Sequence, residues 1–190
     1  MDIFIAGVGG QGTLFASKIL GKYAAETGLD CTLSEVHGMA QRGGSVVTHV
    51  RIAEKVFSPV ISEGAADVLL AFERLEAMRY AHMLKKEGLI VVNAERIDPM
   101  TVTIGAAKYP ESCVDTLRKY SREVYELPAA KISAEAGGSK TVNTVMVGYM
   151  AAKLRLDLEK LKTAVAAVAP HKFAGDNLKS LLAGYEAGNK

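Results

Sequence analysis

The sequence predicts an α/β protein: a three-layer α/β/α sandwich built on a mostly parallel sheet and completed by a helical C-terminal segment. Short apolar runs alternate with stretches of helical periodicity along most of the chain. Two of those runs, DVLLAFE at 67–73 and GLIVVNA at 88–94, are almost continuously apolar, as strands covered on both faces require. The last quarter keeps only the helical spacing.

Taken in order, DIFIAG at 2–7 reads as a strand that ends in glycine, and Leu14, Phe15, Ile19, Leu20 and Tyr23 follow at helical spacing. Residues 31–36 and 45–53 read as the second and third strands, the latter with Val46, Val50 and Ile52 among polar positions. The strand at 67–73 leads into a helix over 74–85, and 88–94 is the next strand. A further strand is predicted at 100–104, a helix near 112–120 and a strand at 123–127. Val142, Val145, Met146, Tyr149 and Met150 mark one late helix, and Leu158, Leu161, Val165 and Val168 a second that Pro170 ends. Leu178, Leu181, Leu182 and Tyr185 mark a last amphipathic helix that stops at Gly188.

With 190 residues and no linker, repeat or low-complexity stretch, residues 1–190 are expected to form one domain with a sizeable core. Hydrophobic residues at 49% and charged residues at 23% exclude the disordered and fibrous classes. A net charge of +2, no Trp and 6% aromatic residues speak against nucleic acid or an anionic membrane as partner. Cys31 and Cys113 lie far apart and form no C-x-x-C, so no zinc or iron–sulfur site is expected from this chain's thiols, which read as buried and reduced. The N-terminus runs directly into a strand, and no apolar run reaches the roughly 18 residues of a membrane span. A cytoplasmic location is expected.

GVGGQGT at 7–13 fits G-x-G-x-x-G through Gly7, Gly9 and Gly12, with Gly10 between them, after a strand and before a helix. Glycines let a ligand approach the backbone, and the free N–H groups and dipole of a helix start favour an anion. Gln11 and Thr13 add side-chain donors. Two readings stand: an anion or nucleotide cradle, or a tight strand-to-helix crossing that binds nothing. A dinucleotide site of Rossmann type also wants an acid at the end of the second strand. Asp30 precedes that strand and Glu35 opens a polar loop, so neither is ideally placed.

That loop, SEVHGMAQRGGS at 34–45, is more polar and more glycine-rich than a simple turn needs. Arg42 can form a bidentate pair with a carboxylate or phosphate, His37 and Gln41 can orient it, and Gly43 and Gly44 let the backbone come close. The quieter alternative is that Arg42 ties the loop to Glu35 and His37 is a structural residue. Both loops follow C-terminal strand ends, the edge where open α/β sheets bind ligands, and are expected to meet there.

GVGGQGTLFASKIL, SEVHGMAQRGGSVVTHVRI, TVNTVMVGYMAAKL and NLKSLLAGYEAG, in this order over nearly the whole chain, resemble the gamma-type domain of the 2-oxoacid:ferredoxin oxidoreductases, the indolepyruvate type above all. The resemblance implies a small subunit of a complex that oxidatively decarboxylates aryl pyruvates to acyl-CoA, with CoA as cosubstrate and ferredoxin as electron acceptor. It implies that thiamine diphosphate, magnesium and iron–sulfur clusters reside on a large partner subunit, and that this chain alone binds none of them. The sequence agrees by lacking a Gly-Asp-Gly motif with paired asparagines and a cysteine cluster. Asn143, in the family-like TVNT stretch, becomes a site candidate beside the two loops, as a helix cap or a bond to a neighbouring loop.

No residue is assigned a catalytic role. His49, His82 and His171 show no metal spacing, Ser34 and Ser45 lack a G-x-S-x-G setting, and Met39 and Met146 read as packing residues. Two other classes remain open: a stand-alone Rossmann-type oxidoreductase using a nicotinamide or flavin nucleotide at GVGGQG, and a purely structural interaction module.

Overall fold

The computed structural model describes residues 1–38, 43–138 and 140–190. Its strands are β1 (Asp2–Val8), β2 (Asp30–His37), β3 (Ser45–Ala53), β4 (Ala66–Ala71), β5 (Leu84–Asn93) and β6 (Val124–Leu127). Its helices are α1 (Thr13–Thr27), α2 (Arg74–Tyr80), α3 (Met100–Thr103), α4 (Cys113–Leu117), α5 (Ala129–Glu135), α6 (Val142–Lys153), α7 (Leu158–Val168) and α8 (Ala174–Gly188). The sheet runs β2, β3, β1, β4, β5, β6. Pairs β1–β4, β4–β5 and β5–β6 are parallel, whereas β3 is antiparallel to both its neighbours. Thus β2 points the same way as β1, one strand removed.

The alternation of side chains across the pleat builds two cores. On one face Ile3, Ile5, Val50, Val68 and Leu70 pack with residues of α1, α6 and α7, among them Ile19, Met146 and Leu161. On the other, Phe4, Ala6, Leu69, Ile90 and Val92 meet Ala77 of α2 and Ile61. The predicted three layers are therefore present, with the sheet mixed at its β3 side. Helices α6 and α8 lie side by side and parallel, so close that a Cβ on Gly184 would fall on the Val145 carbonyl and one on Gly148 on that of Leu181.

Two segments differ from expectation, one in extent and one in kind. The helix predicted over 74–85 stops at Tyr80, passes through a 3-10 turn at Ala81–Met83, and gives way to β5, which begins at Leu84, before the predicted 88. A register shift between Ala66 and Val68 absorbs the added residues. The segment 100–104, predicted as a strand from its β-branched residues, is helix α3. Its Pro99 carbonyl accepts from the N–H groups of Val102 and Thr103, and the edge it would have needed on β5 is already occupied by β6. Helix α5 follows β6 without a sequence signal that had marked it. Cys113 is buried as expected, but Cys31 on edge strand β2 is only half-buried; burial first, and Asp30 second, push its thiol up to about 11. No described helix is long and apolar enough to cross a membrane.

The chain leaves β1 through α1 on one face and leaves β4 through α2 on the other. Connections from adjacent parallel strands that part in this way open a crevice beyond their C-terminal ends.

Candidate functional site

The glycine loop lies at that edge. Gly7, the penultimate residue of β1, is buried, with Thr13, Gln11 and Phe72 packed against the position a Cβ would take. Gly12 adopts φ 82 as the N-cap of α1, a conformation that disfavours side chains, and a Cβ there would fall on Asn143 Nδ2. Asn143 Nδ2 donates to the Gly12 carbonyl at 3.4 Å, while its Oδ1 accepts from Thr144 N–H at 2.8 Å. The late helix α6 and the first loop are thereby joined across 131 residues. Of the two roles expected of Asn143 the loop contact is present and the cap is not, since the N-cap of α6 is Thr141, without a side-chain cap bond.

Gln11 is spent on the frame and not on the open mouth. Its Oε1 accepts from Val8 N–H at 2.7 Å, and its Nε2 donates to Phe72 O at 3.0 Å and to Glu95 Oε2 at 3.2 Å. Thr13 is buried. The donors that face the edge are backbone groups at the start of α1.

The two loops meet through their backbones. Gly9 N–H donates to Gly44 O at 2.8 Å, and Gly43 N–H donates to Gly9 O at 3.3 Å. A cleft of about 320 Å³ between them is lined by Gly9, Gly10, Gly12 and Thr13 on one wall and by Glu35 and His37 on the other. His37 is the last residue of β2 and is exposed. Met39, Gln41 and Arg42 lie outside the described residues.

Across the glycine loop from this cleft is a second hollow of about 420 Å³, at the β1–β4 crevice, with Gln11, Phe72, Glu95, Lys140 and Asn143 in its walls. Glu95 was not singled out from the sequence. Its Oε2 is held by Gln11 and by Asn93 Nδ2 at 2.9 Å, and Asn93 also donates to Phe72 O and accepts from Ala129 N–H. A polar pair, Asn93 and Glu95, closing the apolar run GLIVVN was the signal available for it. Among the described residues no group of three or more His, Cys, Asp or Glu is placed to hold a metal ion.

A third hollow, about 260 Å³, lies beneath Gly43 and Gly44 against Ser45, Glu76, Arg79 and Met100. Ser45 is no nucleophile there, since its hydroxyl donates to Glu76 and lies 3.2 Å from Tyr80 OH. Buried Glu76 has Arg79 Nε at 3.2 Å, yet burial holds its carboxyl above the ordinary range, with Glu73 adding to the rise against Ser45 and Arg79. A carboxyl with a raised folded-state pKa binds its proton more tightly folded than unfolded, so its contribution to stability falls as pH rises through that window. Glu76→Gln is therefore expected to gain stability relative to the parent at pH 7 and to lose that advantage at pH 5, as read by thermal melts. An advantage equal at both pH values would contradict this. His49, buried beside Phe4, accepts from Ile61 N–H at 3.1 Å, and burial lowers its pKa; it is a core residue.

Residues 2–187 match the family described as pyruvate ferredoxin/flavodoxin oxidoreductase. The chain belongs to that family. Over 189 residues it is 41% identical to indolepyruvate oxidoreductase subunit IorB of Archaeoglobus fulgidus, covering 97% of this chain and 94% of that one. It is 29% identical to ketoisovalerate oxidoreductase subunit VorA of Methanothermobacter marburgensis, where 98% of this chain matches only 36% of the longer polypeptide. The gamma subunit of a keto/oxoacid ferredoxin oxidoreductase from Geobacter sulfurreducens shares the fold, with a TM-score of 0.72, 23% identity, and coverage of 98% of this chain and 97% of that one.

These relatives lend no support to the stand-alone Rossmann alternative, and the sheet gives a physical reason against it. Insertion of β3 puts the end of β2, where a ribose-holding acid belongs, two strand spacings from β1, about 10 Å where about 5 Å is usual.

Proposed function

We propose that this chain is the small subunit of an indolepyruvate-type 2-oxoacid:ferredoxin oxidoreductase. The complex takes a 2-oxoacid, CoA and two oxidised ferredoxins to an acyl-CoA, carbon dioxide, a proton and two reduced ferredoxins. The observation that carries this reading is the end-to-end likeness to a subunit named for indolepyruvate. Thiamine diphosphate, magnesium and the iron–sulfur clusters belong, in this reading, to the large partner subunit, and the protein works in the cytoplasm as one domain of the complex.

Within the complex, Gly7, Gly9, Gly10, Gly12, Thr13, His37, Gly43, Gly44 and Asn143 build the functional edge, and Gln41 and Arg42 are assigned to it from the sequence alone. Backbone N–H groups at a helix start suit an anionic group, such as a phosphate of CoA, or an acidic side chain of the partner. Gln11 acts as the brace that sets the glycine loop.

Reconstitution tests the reading. Neither purified subunit alone is expected to support indolepyruvate-dependent reduction of ferredoxin at the rate of the mixture. Full turnover by the large subunit alone would remove the contribution assigned here, and saturable micromolar binding of NAD(H) to the isolated chain would favour the nucleotide alternative.

A further inference from the structure

The two loops of the functional edge are fastened to opposite layers of the sandwich. Asn143 ties the glycine loop to α6, its Nδ2 donating to the Gly12 carbonyl. The second loop is tied to α2, on the other face of the sheet, through Ser45. As the first residue of β3, Ser45 pairs with Val8 at the end of β1 and directly follows the two glycines that bond to Gly9. Its side chain shares the α2 face with those of Val47 and His49. There its hydroxyl donates to Glu76 Oε2 and lies 3.2 Å from Tyr80 OH.

Helix α2 gives this pin a firm footing. Its N-cap, Glu73, is 1% exposed and accepts from the N–H groups of Glu76 and Ile97 and from Tyr109 OH. Glu76 is 5% exposed, with Arg79 Nε against its Oε1. An ionised carboxylate only accepts, so Ser45 must donate to it, and Tyr80 can only donate to Ser45. A glutamine amide at 76 could accept from Ser45 or donate to it, and that fixed order would be lost. Burial makes the charge costly to the fold, so stability alone favours glutamine. What the carboxylate supplies instead is a charge-assisted bond of fixed direction, roughly twice as strong as a neutral one.

We infer that Ser45 and Glu76 are positioning residues for the functional edge: their bond fixes Gly43 and Gly44 against Gly9 and so sets the floor of the glycine cleft. The hollow beneath the two glycines, lined by Ser45, Glu76 and Arg79, leaves the loop room to shift once that bond is broken. The pin thus supplies what packing does not. Its consequence for turnover rests on the function proposed above; the bond itself does not.

Amide exchange in the full chain at pH 7 reads the pin directly, with the amides of β4 as the reference for global unfolding. Ser45→Ala is expected to lower protection of the Gly9 and Gly43 amides about tenfold, as loss of a bond to a charged group does, and Ser45→Thr, which restores the hydroxyl, to recover most of it. Glu76→Gln separates positioning from stability, since its melting temperature should rise while protection at Gly9 and Gly43 falls about threefold. In the complex reconstituted with the large subunit, Ser45→Ala should raise the half-saturating concentration of CoA or of the large subunit about tenfold, with turnover at saturation within about twofold of the parent. Parental protection at Gly9 and Gly43 in Ser45→Ala, or protection in Glu76→Gln that rises with its melting temperature, overturns the pin. Lost protection with both half-saturating concentrations unchanged overturns the positioning role and leaves the subunit reading intact. A parental mixture that does not turn over overturns the subunit reading, while the exchange result still decides the pin.

Discussion

Gly184→Ala is expected to destabilise the chain by about 3 kcal/mol, a fall of about 6–12 °C in melting temperature. The added methyl lands on the Val145 carbonyl of α6, a backbone atom that no rotamer change can move aside. Helices α6 and α8 must then separate, and the cluster that contains Val145, Met146 and Leu181 opens with them. Gly175→Ala, in the first turn of the same α8, is the matched control. Nothing lies within 4 Å of the methyl there, so alanine's better helix propensity should leave stability unchanged or raise it by about 0.5–1 kcal/mol. Thermal and denaturant unfolding of the two variants decide the matter. Equal effects would mean that helix propensity, not the close approach of α6 and α8, governs both sites.

Gly12→Ala should act on the site more than on the core. A left-handed conformation costs an alanine about 1–2 kcal/mol, and its methyl displaces Asn143 from the Gly12 carbonyl. The start of α1 and the loop around Gly9 and Gly10 then lose their brace, and the reconstituted complex is expected to lose at least about tenfold in turnover, equivalent to about 1.4 kcal/mol. Gly12→Ala/Asn143→Ala provides the check. Truncating Asn143 restores space but not the backbone preference, so the double variant should recover part of the loss, with a coupling of about 1–2 kcal/mol. Strict additivity of the two single changes in stability and turnover would show that the contact does not set the loop.

The strands were legible because their signal is local. Residues 45–53 coincide with β3, and DVLLAFE and GLIVVNA read as buried because they are buried. Segment 100–104 misled because β-propensity is realised only where a neighbouring strand is available, and β6 had taken the place on β5. The insertion of β3 between β1 and β2 leaves no trace in either strand's own sequence; it follows from pairing over tens of residues. The same holds for the site. Both loops could be named from their glycines, and Asn143 from the resemblance carried by the TVNT stretch. That Gln11 turns inward to Phe72 and Glu95 could not, because its partners lie 61 and 84 residues away.

The order of the sheet gives the two halves of the functional edge unequal mechanical footing. The Gly9–Gly12 half hangs from β1, a strand paired on both sides and buried along almost its whole length. The other wall has two footings: Gly43 and Gly44 lead into β3, itself paired on both sides, whereas Glu35 and His37 stand on β2, held by β3 alone and exposed over most of its residues. Local opening is easiest where few contacts must break, so β2 can yield at its end while β1 stays fixed. The cleft thus has a firm floor, where Gly9 N–H donates to Gly44 O, and one compliant wall at Glu35 and His37.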